Sequence, residues 1–554
     1  MPPPHQRPDP TPVGRSSRAL VLVALALVST SCGGDPPSNN SPASRAARGI
    51  PPGAPWGTLT IARPQDIRDL NPLRQANNAT SEVTYQVHEG LFTLSPDQEL
   101  VGALATSWEL LEDGRTYRLQ LREGVTFHSG EPFNAEAVRW NFEKQLKTEP
   151  LAIGAGLVPP YHDISIVDDH TIDITLEEPH GVFVQVLAAP LFMIVDPARY
   201  QALGERYATD PSGTGPFRFV SWTPDQRVVL EANQTYWDTD NGPGVEELVF
   251  EVIPEAAARI IALRNGEVDL VFSVPAEDVP ALSTDPDFEV IGTASMRIVY
   301  LGLNTADPVL SDVRVRQALG HAIDRNQIVQ IIGDNGVRAE GIGVPEALGF
   351  GPTARAFDPE AANRLLDAAG WRMNGDYREK DGQRLSIAAM VPGSFPGEVE
   401  SMLVVQSQWK NVGVEMLIEQ IESGAATALR NEEAGRHEAD PTHVPRYQAW
   451  TAGEGIRTGE IGYITERPKC DQGFRNWERF CDPAYDEAFE RAQSPAPLDE
   501  RLEGYAGLND ILREQSIRLP IFVIQSNKAM STQVQGFVPN PNDALNLRGV
   551  TVGG

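Results

Sequence analysis

The sequence predicts an α/β protein of more than one lobe, with mixed sheets and a smaller α+β subdomain. Three observations predict it. Segments of two-residue apolar alternation recur along the chain, helix–Gly–strand units alternate with them, and 554 residues leave room for several hydrophobic cores. Hydrophobic residues make up 41% and charged residues 22%, the balance of a folded chain. TLTIAR (58–63) reads as a strand followed by the turn-former Asn71-Pro72. TYRLQL (116–121) sets Tyr117, Leu119 and Leu121 on one face, and TIDITLEEP (171–179) does the same with Ile172, Ile174 and Leu176. Between them NAEAVRWNFEKQL (134–146) reads as a helix capped by Asn134, which completes the small α+β unit. RVVLEA alternates again, and 254–274 reads as a helix opened by Pro254, stopped by Gly266 and followed by a strand from Val268 to Val274. Asp358 caps a helix opened by Pro359 and ended by Gly370, and residues 384–421 spell a β-α-β unit.

The charge sum is −30, from 46 basic and 76 acidic residues, which excludes nucleic acid and an anionic membrane surface as main partners. No apolar run approaches the ~20 residues of a membrane span, so a channel or permease is excluded too. The first residues read as an address. Arg7, Arg15 and Arg18 precede ten unbroken apolar residues, Ala19 to Val28, the length of a signal-peptide core. Cys32 then opens a polar tract, as in a bacterial lipoprotein signal, with residues 1–31 removed, Cys32 lipidated and 32–56 a flexible tether. Ser29 stands where that pattern prefers Leu, and with Ser31 it also suits ordinary signal peptidase; either route places the protein outside the cytoplasm, on the membrane or in the periplasm. Cys470 and Cys481, eleven apart in a secreted chain, read as a local disulfide, with two buried thiols as the alternative.

Several phrases together resemble the extracytoplasmic solute-binding proteins of ATP-binding-cassette (ABC) importers, the peptide/nickel family (solute-binding family 5). They are YQVHEGLF (85–92), the stretch 104–140, GTGPFRF (213–219), ALRNGEVDLV (262–271) and 300–329, in the family's order. Their bland reading, packing and capping, suits nearly all of them: Asp312 and Asp324 each start a helix, and Glu112-Asp113-Gly114 is a hairpin turn. The resemblance implies a two-lobed periplasmic-binding-protein-like fold with mixed sheets and an extra subdomain. Lobe I would comprise 57–88, 191–295 and 517–554, the extra subdomain 89–190, and lobe II 296–516, with crossings near Val299–Leu301 and Arg518–Val523. It implies a monomer that encloses a peptide or other small solute by hinge closure and delivers it to ABC permease subunits, with no cofactor and no resident metal.

By the same resemblance, peptide-binding relatives carry Trp and, three positions later, an Asp that pairs with the peptide's α-ammonium. Here Trp450 matches, but Gly453 stands at the Asp position with Glu454 next. Either Glu454 takes the role after a one-residue shift, or the ligand has no free amino terminus there; Trp450 is otherwise a packing aromatic. Further candidate contacts are Gln65 and Asp66 after the first strand, Tyr300 at a crossing, and Arg457 as a carboxylate partner. His437 and His443, with Asp440 between, have transition-metal ligand chemistry, but the polar stretch RNEEAGRHEADPTHV reads better as a solvated loop. Hydrolase and P-loop motifs are missing, which leaves a secreted hydrolase as the weak rival and a ligand-presenting sensor of the same fold as the nearer one.

Overall fold

Among the described residues eleven strands form one large sheet. The computed structural model describes residues 57–74, 78–147, 161–440, 443–456, 458–542 and 545–553. The signal sequence, Cys32 and the tether, as well as Arg457, lie outside the described residues. In chain order the strands of the large sheet are β1 (Thr58–Arg63), β2 (Phe217–Thr223), β3 (Arg227–Ala232), β4 (Glu247–Val252), β5 (Leu270–Phe272) and β6 (Phe288–Leu303). They continue as β7 (Gly336–Arg338), β8 (Ser386–Val391), β9 (Glu415–Gln420), β10 (Ala449–Gly455) and β11 (Arg518–Ser531). Their spatial order is β9-β8-β10-β6-β11-β5-β1-β4-β3-β2, with β7 also on β11. The sheet is mixed: β1 runs parallel to β4 and β8 parallel to β9, while β3–β4 and β6–β11 are antiparallel.

The period of two decides what each half buries. In the first half, Leu59 and Ile61 of β1 face a core with Phe217, Leu230 and Phe250, and Ala62 faces a second core with Val271 and Leu282. In the other half, Val299 and Leu301 of β6 join Ala449 and Ile387, whereas Ile298 and Tyr300 join Trp450 and Ala452. A separate four-stranded sheet, in the order Ala105–Leu110, Thr116–Leu121, Thr171–Leu176, Tyr161–Asp168, packs its apolar residues with helix Ala135–Lys147 into a core of its own. Asn134 caps that helix through Oδ1, which accepts from Ala137 N at 3.0 Å.

β6 and β11 span both halves. They pair from Phe288↔Ser531 to Gly302↔Arg518, with the register broken between Ala294 and Ile298. The three intervening residues, Ser295 to Arg297, bulge out, and a bulge is where a long ribbon bends most readily.

Two local expectations differ from the structure. The stretch expected as a polar loop around His437 is the end of helix Ser423–Ala439, started by Glu422, whose carboxylate accepts from Ala425 N. Its Ala, Glu and Arg are good helix formers, and the residue types outweigh polarity. The strand expected over 268–274 is only Leu270–Phe272, because Ser273 turns the chain at a φ of 57°.

Cys470 and Cys481 are joined, with Cα atoms 4.5 Å apart. Closing a loop with a sequence separation of 11 stabilises by about 2–3 kcal/mol in the chain-entropy estimate. Protein exported with its own signal should resist thiol labelling and gain the mass of two hydrogens on reduction. Cys470→Ser should lower unfolding free energy by about that amount in denaturant titration.

Candidate functional site: the cleft at the hinge

Three chain segments meet where the β6–β11 ladder is interrupted. Met296 N donates to Pro541 O at 2.7 Å, and Ile456 N, just past β10, donates to Met296 O at 2.7 Å. Opposite them lies a turn of the small subdomain, fixed to the same C-terminal segment. Asn540 Nδ2 donates to Leu94 O at 3.2 Å and Gln98 Nε2 to Asn540 Oδ1 at 2.9 Å. A Cβ on Gly459 would stand 3.3 Å from Leu94, so the two sides touch here. Two cavities open from this contact and share Leu94 as a wall, one of about 370 Å³ and one of about 920 Å³. Both are in the range of small-molecule sites.

The smaller cavity is bordered by His88, Glu89 and Arg548. GTGPF explains how they are held. A Cβ at Gly213 would lie 2.2 Å from Val87 O and one at Gly215 2.5 Å from Gln86 O, so only glycine lets this strand lie on the 86–88 backbone. Thr214 between them donates to Glu89 at 2.9 Å, Tyr236 OH at 2.7 Å and Trp237 Nε1 at 2.8 Å. Burial pushes the Glu89 carboxyl up, against the pull of Arg548 and these three donors. His88 is buried with Nε2 3.0 Å from Tyr207 OH, and burial followed by the neighbouring His128 lowers its pKa to about 3.

The predicted contacts fall into two groups. Tyr300, Trp450 and Glu454 are brought together on one face of the β6–β10 pair, in the register Tyr300↔Ala452, Gly302↔Trp450 and Ile298↔Glu454. Tyr300 is fully buried with Arg518 over its ring at 4.8 Å. Trp450 is 3% exposed and packs where a Cβ on Gly302 would lie 2.7 Å from its ring. Glu454 is ion-paired with Arg467, and Arg518 lies 3.6 Å away. Gln65 and Asp66 sit in the other half of the sheet. Asp66 clamps a turn there, accepting from Asp225 N at 2.7 Å, Ile67 N at 2.8 Å and Trp222 Nε1 at 3.1 Å, with Gln65 exposed beside it. His443 pairs with Glu433 at 2.8 Å, and no metal-binding group of three or more His, Cys, Asp or Glu exists among the described residues.

The most informative position is Gly453. A Cβ there would lie 2.1 Å from the Phe395 ring. Phe395 is held in place by Glu398, a buried carboxylate that accepts from Ser394 N at 2.6 Å, Phe395 N at 3.2 Å and the Thr451 hydroxyl. Arg297 lies over the same ring at 5.4 Å and donates to Gly453 O at 3.2 Å. An aromatic ring and a guanidinium therefore surround the point at which the family resemblance led us to expect a carboxylate. Sequence reasoning missed Phe395, Arg297 and Arg467. The only signal was Gly393-Ser394-Phe395-Pro396-Gly397, a glycine-flanked junction between β8 and helix Glu398–Asn411.

Residues 99–442 match the model of the bacterial extracellular solute-binding proteins, family 5. The chain belongs to this family. It is a binding protein and not an enzyme. It is 27% identical over 518 residues to di/tripeptide-binding protein 2 of Pseudomonas aeruginosa, covering 88% of this chain and 93% of that one. It is 23% identical over 492 residues to the glutathione-binding protein GsiB of Escherichia coli, with the same coverage. Among solved structures, HbpA2 of Haemophilus parasuis superposes with a TM-score of 0.77 at 25% identity, over 90% of this chain and 100% of that one. NikA of Brucella suis, bound to Fe(III)-EDTA, shares the fold at a TM-score of 0.78 and 24% identity, over the same shares.

His88 of the binding protein gives a pH signature. Its folded pKa of about 3 lies below the ordinary 6.5, so between these values the unfolded chain binds a proton that the folded chain does not. The resulting stability is full above pH 6.5 and is lost as pH falls towards 3. Replacing His88 by Gln should flatten the acid limb of stability against pH by up to about 1.4 kcal/mol per pH unit between pH 6 and 4. Identical acid limbs for the two proteins would show that His88 takes its proton without unfolding.

Proposed function

We propose that the protein is the solute-binding component of an ABC-type importer and captures a peptide-like solute at the hinge. The observation that carries this is the pair of cavities that share Leu94 of the subdomain, the larger walled also by segments 345–352 and 498–513 and the smaller by segments 85–90 and 536–548. A bend at Ser295–Arg297 changes the distance between those walls, and closure around the solute presents one shape to the permease. Peptide chemistry is supported by the similarity to the di/tripeptide-binding and glutathione-binding proteins over most of the chain.

The domain division of this reading is lobe I at 57–88, 191–295 and 517–554, subdomain at 89–190, and lobe II at 296–516. The separate hydrophobic cores support it except at its seams, where Leu519, Ile521 and Phe522 belong to the lobe II core and Leu191, Phe192 and Ile194 to that of the subdomain. Signal removal after residue 31, lipidation of Cys32, a tether over 32–56 and a monomeric state complete the proposal; the apolar run Ala19–Val28 before Cys32 supports the first two. For contacts we retain Gln65 and Asp66, and Arg457 outside the described residues. We assign Tyr300, Trp450 and Glu454 to shaping the lobe II wall.

Mass spectrometry of small molecules released on denaturing freshly purified protein tests the function. A peptide or peptide conjugate is expected, and a solute lacking amide groups would overturn the peptide reading. With Gly453 covered by Phe395 and Glu454 engaged by Arg467, the cleft offers no spare carboxylate at this point to an α-ammonium. Acetylating the amino terminus of a bound peptide should therefore change its affinity by less than about threefold in calorimetry, in wild type and in Glu454→Gln alike. Loss of binding on acetylation would place an ammonium anchor in this cleft after all.

A further inference from the structure

The smaller cavity, about 370 Å³, lies where segment 85–90, the subdomain segments 92–103 and 188–193, and the C-terminal segment 536–548 come together. Its walls are mostly apolar and partly open to water. Val538 is 56% exposed and Val101 43%, and both line this cavity. Leu94, Leu545 and Ala188, on the same lining, keep 5%, 7% and 8% of their surface accessible. Apolar surface left in water at a pocket mouth is stabilised by whatever apolar group covers it.

A polar end interrupts these walls. Among the described residues the charged side chains on the lining are Glu89 and Arg548. Glu89 is fully engaged: Oε1 accepts from Tyr236, and Oε2 from Thr214 and Trp237. Arg548 keeps one nitrogen in reserve. Its Nε donates to Asn546 Oδ1 at 3.2 Å and its Nη1 to Tyr236 OH at 2.9 Å, while Nη2 donates to nothing among the described residues. The side chain is 28% exposed, and Nη2 is not one of the buried, unpartnered nitrogens, so solvent reaches it.

Charge decides what that nitrogen can take. A carboxylate oxygen of Glu89 and one of Asp238 each stand 4.0 Å from Nη1. An added anion would meet those two carboxylates along with the arginine, and an added cation would meet the arginine itself. An uncharged acceptor gains the hydrogen bond without either repulsion. A carbonyl on an apolar body is such an acceptor.

We propose that this cavity is a subsite for an uncharged apolar group that carries a carbonyl, with Arg548 Nη2 as its donor. The inference rests on the proposed solute capture and assigns the chemistry of one part of that solute.

The probes are hydrocinnamamide, its acid form hydrocinnamate and the amine phenylpropylamine, each titrated into the full chain with isotope-labelled methionine methyls. The amide should bind about tenfold more tightly than either ion. It should also shift the Met193 methyl resonance, because Met193 lines the cavity. Arg548→Lys keeps a positive charge beside Glu89 and Asp238 but removes Nη2, and should weaken the amide by about fivefold. Val538→Trp changes only an exposed residue at the mouth and, by filling it, should weaken the amide by about tenfold. Equal affinity for the amide and either ion, tighter binding of an ion, an unmoved Met193 resonance, or indifference to both variants would overturn the subsite. None of these outcomes bears on which solute is released on denaturation, so the two readings fail separately.

Discussion

The sixteen residues of β6 and fourteen of β11 run antiparallel through both halves of the molecule, and in the strand order no other pairing joins those halves. Every other strand of the sheet hangs on this pair from one side or the other. A backbone ladder of that length resists shear and stretching, yet its register shifts between Ala294 and Ile298 and again between Val299 and Tyr300, and the longer of these breaks, at Ser295–Arg297, leaves a compliant point. The cleft sits there because a bend moves only what flanks it. Met296 donates to Pro541 and accepts from Ile456, so the compliant residue itself connects the two walls.

The lobe II end of β11 is fixed by charge. Arg518, its first residue, is fully buried and donates to Glu478 at 2.6 Å, with Glu454 at 3.6 Å. Glu478 and its neighbour Trp477 belong to the loop closed by Cys470 and Cys481, and Trp477 lies between Arg430 and Arg467 at 4.3 and 4.4 Å. A buried ion pair of this kind contributes little net stability over an apolar substitute, but removing one partner leaves a costly lone charge. The disulfide, the stacked tryptophan and the hinge strand thus form one cluster. Glu454 belongs to the same cluster through Arg467 and Arg518, and so helps to hold β11.

The subdomain is tied to both lobes. Glu89 at its start is held by donors from the first lobe, Thr214, Tyr236 and Trp237. At its far end Gly181 N donates to Gln493 O of lobe II at 2.7 Å, and a Cβ there would lie 1.9 Å from Ser494 O. The Gln493 side chain donates to Tyr505 OH, which donates to Glu460, a residue lining the larger cavity.

Much of this architecture was legible in the residues. Period-two alternation located β1, β3 and the two inner strands of the subdomain sheet, because each buries one face and the pattern is local. Caps at Asn134, Asp312, Asp324 and Asp358 were read correctly because a cap needs only its own first turn. The glycines of GTGPF were visible as a motif, but their reason, a backbone lying on 86–88, is tertiary. The site was less legible. That Gly453 carries no carboxylate is written in the sequence; that Phe395, 58 positions earlier, fills the space is not. Nor do the residues reveal that Glu454 pairs with Arg467 and lies 3.6 Å from Arg518. Local patterns record which face of an element is apolar, and that determined the fold class. Which charges find partners depends on distances between segments far apart in the chain, and only the tertiary structure decided those.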